Sequence, residues 1–162
     1  MKVYIVDDDQ RFADEIADNA RDFGHDVAVH LSPETAWQEL QGDQRMDVLV
    51  LLDHDFHGVA KGYELCSKIR RSHPLGLLVP IVYLTGRETR EGYLEHYAGE
   101  PILSPSLYLD KGALTRRTEL LPQLLRRFGE QFAQLLELAD DQAARRALIS
   151  FRDAEDVANE DD

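Results

Sequence analysis

The 162-residue chain is short of basic residues, holds a single cysteine and contains no long apolar run, and each shortage removes a class of function. Lysine and arginine number 18 against 31 acids, giving a net charge of −13. Such a surface repels phosphate backbones and anionic lipid, so no nucleic-acid partner and no membrane partner is expected. Proteins, cations or small anions held locally remain. The lone Cys66 has no disulfide partner, which suits a reducing compartment, and it reads as a small buried residue on a helix. No stretch approaches the roughly 18 apolar residues of a membrane span. The opening MKVYIV meets acids too soon to form a signal-peptide core, so a soluble, cytoplasmic protein is expected. The length allows one domain with a real core plus an appendage.

Short β-branched runs are present at regular intervals: VYIV (3–6), VAV (27–29), VLVLL (48–52), IVYL (81–84) and LYL (107–109). Between the first two, Phe12, Ile16, Ala20 and Phe23 recur at helical spacing, and Gly24 stands where a C-terminal cap belongs. Ser32 and Pro33 offer a cap and a first-turn proline for a second helix carrying Ala36, Trp37 and Leu40. Tyr63, Cys66 and Ile69 mark a third, and residues 90–98 give a weaker signal for a fourth. The segment from Leu114 to Phe128 is amphipathic, with Pro122 either starting the helix or kinking it. Strands apolar on both faces alternating with helices imply a parallel sheet covered on both sides. Ligands of such α/β sheets gather at the carboxyl ends of the strands.

Those ends are unusual. The first strand delivers Asp7, Asp8 and Asp9, the third Asp53, the fourth Thr85 and Gly86, and the fifth Asp110 and Lys111. Carboxylates within about 4 Å repel by roughly 4 kcal/mol per pair at an effective dielectric of about 20, so they need protons or a cation. All-oxygen donors favour Mg2+ or Mn2+, with positions left open for water and a phosphoryl oxygen. Lys111 adds a mobile positive charge and Thr85 a hydroxyl. The set describes a cradle for a phosphoryl group on a carboxylate nucleophile, for which Asp53, alone on the central strand, is the natural choice.

VDDD (6–9), VLLDHDF (50–56), YLTG (83–86) and YLDK (108–111), in this order, resemble the receiver domain of two-component response regulators. The resemblance covers residues 1 to 128. It implies an α/β, flavodoxin-like, doubly wound (βα)5 parallel sheet of strand order 2-1-3-4-5, here with a C-terminal helical extension. It implies Asp53 as phosphoacceptor, and Asp7, Asp8, Asp53 and the backbone carbonyl of Asp55 as the holders of Mg2+ (or Mn2+). Thr85 and Lys111 match the switch hydroxyl and the invariant lysine, and Tyr108 the aromatic that changes rotamer. The implied partners are a histidine kinase or phosphotransfer protein as donor and a downstream protein as receiver of the signal. The implied activity is a phosphorylation-dependent switch, not a turnover enzyme, that catalyses only its own loading and loss.

The chain departs from the family pattern in places. The loop after Asp53 is one residue longer before Gly62, His57 stands where proline is common, and Gly112 rather than proline follows Lys111. The EPILSPS segment (100–106) looks inserted. Asp55 and Arg87 resemble positions that tune water access to the phosphoryl group. His54 and His57, on a polar loop, are expected to face water rather than bind metal.

Beyond Phe128 the stripe of Leu121 and Leu125 continues through Phe132, Leu135, Leu136 and Ala139, spacing that suits either packing on the same domain or a homodimer through the prolonged helix. A helical extension is expected over 129–152, including a short helix at 142–151, followed by a disordered acidic tail at 153–162. Two rivals stand beside the switch. Asp53 and Asp55 as DxD, LTGR (84–87) and Lys111 also resemble haloacid-dehalogenase phosphatases, although the acid pair here precedes the nucleophile and only helices follow the lysine. A receiver-like scaffold that is never phosphorylated is the other.

Overall fold

The computed structural model describes residues 1–57, 62–86 and 100–140. The β-branched runs form β1 (Lys2–Val6), β2 (Asp26–His30), β3 (Val48–Asp53), β4 (Ile81–Thr85) and β5 (Leu107–Asp110). They make one sheet in the order β2-β1-β3-β4-β5, every neighbouring pair parallel. The reversal of order beside β1 leaves a crevice at the carboxyl ends of β1 and β3, where side chains from both can meet.

The period-2 alternation of each strand divides the core. Tyr4, Val6, Val48, Val50, Leu52, Ile81 and Tyr83 point to one face, covered by α2 (Pro33–Leu40) and α3 (Gly62–Ser72) through Ala36, Leu40, Leu65, Cys66 and Ile69. Val3, Ile5, Leu49, Leu51, Val82 and Leu84 point to the other, covered by α1 (Gln10–Asp22) and α5 (Leu120–Asp140). All six residues of β3 are buried, as expected of a strand roofed on both sides.

Local signals set the helix ends. Asp9 caps α1 by accepting from the Phe12 amide, and Gly24, at φ 78°, sits just past its end. Ser32 caps α2 by accepting from Thr35, with Pro33 in the first turn. Cys66 is buried in α3, and its thiol donates to the Leu103 carbonyl at 3.3 Å.

Of the two expectations for the amphipathic segment from Leu114 to Phe128, a helix started at Pro122 or one kinked by it, the structure shows a start. A short α4 (Lys111–Arg116) starts directly after β5, capped by the Asp110 carboxylate, and the chain breaks at Arg117 before α5 begins at Leu120. The restart puts Pro122 in the first turn of α5, where its missing N–H costs nothing; an unbroken helix would have placed it in the interior. From there α5 runs without interruption to Asp140, and Leu121, Leu125 and Phe132 are buried against the α1 face of the sheet. The start of the extension therefore packs on its own domain. The helix expected at 90–98, the one at 142–151 and the tail at 153–162 lie outside the described residues.

The EPILSPS segment forms a 3-10 turn (Pro101–Leu103) that hands the chain to β5. It is organised by Arg70, a buried arginine of α3 whose guanidinium donates to the carbonyls of Gly76 (2.5 Å), Val79 (2.6 Å) and Ser104 (3.3 Å) and to the Ser106 hydroxyl (3.1 Å). Four acceptors around one cation tie two loops to α3 at the end of the sheet opposite the strand-end acids.

Candidate functional site

The carboxylates of Asp7, Asp8 and Asp53 offer oxygens that all lie within 4.8 Å of one another. Register explains the meeting: Val6 pairs with Leu52, so the residues after β1 emerge beside Asp53 at the end of β3. Lys111, from the start of α4, reaches across and places Nζ 2.6 Å from Asp7 Oδ2 and 3.0 Å from Asp53 Oδ2. Its ammonium also lies 4.9 Å from the centre of the Phe12 ring, which fills the space beneath it.

Backbone donors hold the acids in place. The Asp9 amide donates to Asp7 Oδ1 at 3.0 Å and the His54 amide to Asp53 Oδ1 at 2.9 Å. Gly62 passes so close to the Asp53 carbonyl that a Cβ would collide with it and would stand 2.8 Å from His54 Cα. The same glycine donates its N–H to the His54 carbonyl at 2.9 Å, pinning the loop's far end to the site.

Among the described residues three carboxylates cluster beside one ammonium, and the imbalance shows in the proton affinities of Asp7 and Asp53. Burial and then the charge of Asp7 push Asp53 up to about 6, with Lys111 and the His54 amide only partly opposing them. Burial likewise raises Asp7 against the pull of Lys111. Burial alone would lower Lys111, but the hydrogen bond to Asp7 and the charges of Asp53 and Asp7 outweigh it and hold it above its usual range. An uncompensated pocket of hard oxygen donors is what a divalent cation of the Mg2+ type fits.

The other residues expected at the site are placed as follows. Thr85 ends β4, in register with Asp110, on the same rim as Asp53. Tyr108 is half-buried on β5 and meets the Tyr83 ring edge-on at 5.6 Å. Asp55 is half-exposed, with Oδ1 4.0 Å from His54 Nε2. Arg87 lies outside the described residues.

The two histidines behave differently from each other, and only His54 departs from the expectation of facing water. His54 does not face water: it is 1% exposed, and its ring packs 5.7 Å from that of Tyr83. The strand's alternation accounts for this, since His54 shares parity with Val50 and Leu52 and so turns to the α2/α3 face. His57 is exposed, but engaged. Its amide donates to Asp8 Oδ2 at 2.7 Å, and its ring Nδ1 lies 3.0 Å from the same oxygen.

A family model, the response regulator receiver domain, matches residues 3–99. The chain belongs to that family. Solved structures agree on the receiver fold. A CheY-like receiver domain protein from Methanospirillum hungatei JF-1 is 20% identical, covering 82% of this chain and 97% of its own, with a TM-score of 0.62. A response regulator from Chloroflexus aurantiacus J-10-fl is 25% identical over 74% of this chain and 95% of its own, TM-score 0.55. The BeF3-activated DrrB receiver domain is 22% identical over 80% and 97%, TM-score 0.61. No curated protein matches the sequence. The matched span includes Asp7, Asp8, Asp53 and Thr85; Tyr108 and Lys111 lie beyond it, and of these two Lys111 is brought to the acids by its contacts with Asp7 and Asp53.

Proposed function

We propose that this receiver domain accepts a phosphoryl group on Asp53 from the phosphohistidine of a histidine kinase or phosphotransfer protein. Support comes chiefly from one observation: Asp53 Oδ2 sits 3.0 Å from the Lys111 ammonium, which also binds Asp7, within a trio of carboxylates. An Asp53 oxygen attacks phosphorus, the P–N bond to the donor imidazole breaks as the P–O bond forms, and the imidazole leaves with the bonding pair. A carboxylate whose proton affinity is raised to about 6 is still mostly ionised at neutral pH, yet more basic than an ordinary one. Mg2+ or Mn2+, held by Asp7, Asp8, Asp53 and the Asp55 carbonyl, would supply charge neutralisation at the phosphoryl oxygens. Lys111 neutralises a further oxygen, and Thr85, on the neighbouring strand end, offers its hydroxyl to another.

Loading replaces the Lys111–Asp53 pairing by a contact to a dianionic group. The change is passed along β4 and β5, where Tyr108 packs against Tyr83, to the surface a downstream protein reads. The protein acts on its own Asp53 and not as a turnover enzyme, and a cytoplasmic location follows from its donors; among the described residues no helix is long and apolar enough to cross a membrane. Incubation with a small-molecule phosphodonor and Mg2+ tests the proposal. Intact mass should rise by one phosphoryl group in the wild type and stay unchanged in Asp53→Asn. Repeated release of phosphate from a phosphoester would instead mark a phosphatase, and no loading under any donor would mark a scaffold.

A further inference from the structure

We propose that His57 is a ligand of the cation at the acid site, and that it biases the site toward first-row divalent transition metals over Mg2+. The inference rests on the metal-dependent switch proposed above and adds a residue to it. His57 is the only non-glycine with positive φ among the described residues, at 52°, a conformation that costs an L-residue about 1 kcal/mol or more. Its side chain is 85% exposed, so no packing repays that cost. What the conformation achieves is a double approach to one atom: the amide and ring Nδ1 both reach Asp8 Oδ2, at 2.7 and 3.0 Å.

A carboxylate oxygen has two lone pairs, so Asp8 Oδ2 can accept the His57 amide and still bind an ion. Two donors set at right angles on an octahedral ion, each about 2.1 Å from it, stand about 3 Å apart. The Nδ1 to Oδ2 separation matches that spacing, and the exposed ring has room to turn its unprotonated Nδ1 toward an ion held by Asp8. Asp8 belongs to the trio whose oxygens lie within 4.8 Å of one another, so the same ion would meet Asp53. Imidazole nitrogen binds Mn2+ weakly and Co2+ or Ni2+ more strongly, whereas Mg2+ prefers oxygen. His54, buried against Tyr83 one residue beyond Asp53, points to the core and takes no part.

The test compares His57→Gly with the wild type. Glycine suits the positive φ and keeps the amide bond to Asp8, so only the imidazole is lost. Calorimetric titration of the full chain with Mg2+ and with Ni2+ should show Ni2+ affinity falling about tenfold or more and Mg2+ affinity staying within about twofold. Mn2+ bound to the wild type should show nitrogen modulation in its electron spin echo, absent in His57→Gly. Equal losses for both ions would make His57 a mere support for Asp8 and overturn the assignment, as would wild-type Mn2+ without nitrogen coupling. A wild type that binds no divalent ion at all would instead bring down the metal-dependent switch itself.

Discussion

Replacing Asp53 with asparagine should make the protein more stable at neutral pH, although it removes a buried ion pair. Asp53 is buried, and its carboxyl is pushed up to about 6 from an unfolded value near 3.8. The folded state thus holds that proton more tightly than the unfolded chain does. Below about pH 4 both states are protonated and the site costs nothing; as pH rises toward 6 the unfolded chain ionises first and stability drains away. Above that window the full cost of ionising Asp53 in place is on the order of 3 kcal/mol, at 1.36 kcal/mol per pKa unit. Asparagine has nearly the same shape and carries no charge, and its single oxygen keeps the His54 amide bond while Lys111 stays paired with Asp7. Its Tm at about pH 7.5 should exceed the wild type's by roughly 5 to 10 °C, as read by thermal unfolding in circular dichroism. The gap should close on acidification to about pH 4, and narrow when Mg2+ is added, because the cation stabilises the ionised site in the wild type far more than in the variant. A variant less stable than wild type at neutral pH would refute the reasoning. So would a gain that persisted undiminished in acid, since packing rather than charge would then be its source.

Lys111→Ala removes the ammonium that pairs with both Asp7 and Asp53, and a loss of about 3 kcal/mol at neutral pH is expected in urea unfolding. That loss should shrink below about pH 4, where both carboxylates are protonated, and its failure to shrink would place Lys111's contribution in packing over Phe12 instead. Gly62→Ala forces a Cβ into the Asp53 carbonyl and His54 Cα, and should cost about 1 to 3 kcal/mol while also slowing phosphodonor loading, measured by mass. Arg70→Leu strips the carbonyls of Gly76, Val79 and Ser104 of their donor, and should destabilise by about 3 kcal/mol in urea without altering divalent-ion affinity at the opposite end of the sheet.

The residues that the sequence betrays are those whose side chains end an apolar run. Asp53 is conspicuous after VLVLL, Asp7 and Asp8 after VYIV, and Lys111 after LYLD, because a strand boundary is a chemical discontinuity that can be read without coordinates. Parallel order then brings the ends together. His54 was equally readable in principle: it keeps the parity of Val50 and Leu52, and only its loop-like neighbours suggested water. Arg70 was not readable, because three of its four acceptors are main-chain carbonyls, at 76, 79 and 104, which leave no mark in the residue types. The clasp of His57 on Asp8 was hidden for a similar reason, since half of it is an amide and the rest depends on a backbone conformation that histidine adopts rarely. The break before α5 lay between: Pro122 announced that something must yield, but whether by a kink or a fresh start depended on how α4 was capped by Asp110.

The cost of the acid site explains why its supports are so rigid. Carboxylates that repel one another and resist ionisation would drift apart on flexible loops, taking water into the gap and relaxing their charge. Here Asp53 closes a strand with every residue buried, its oxygen is tied by the amide of His54, and Gly62, at the start of α3, sits against its carbonyl. Asp7 is tied by the amide of Asp9, whose own side chain starts α1. Each tie comes from backbone that the sheet or a helix already holds, so the acids cannot relieve their repulsion by moving. The strain is left to be relieved by neutralisation alone, through a proton, a cation or the ammonium of Lys111. A site built this way stores a preference for whatever changes its charge, and a domain with a costly feature that responds to charge is suited to act as a switch.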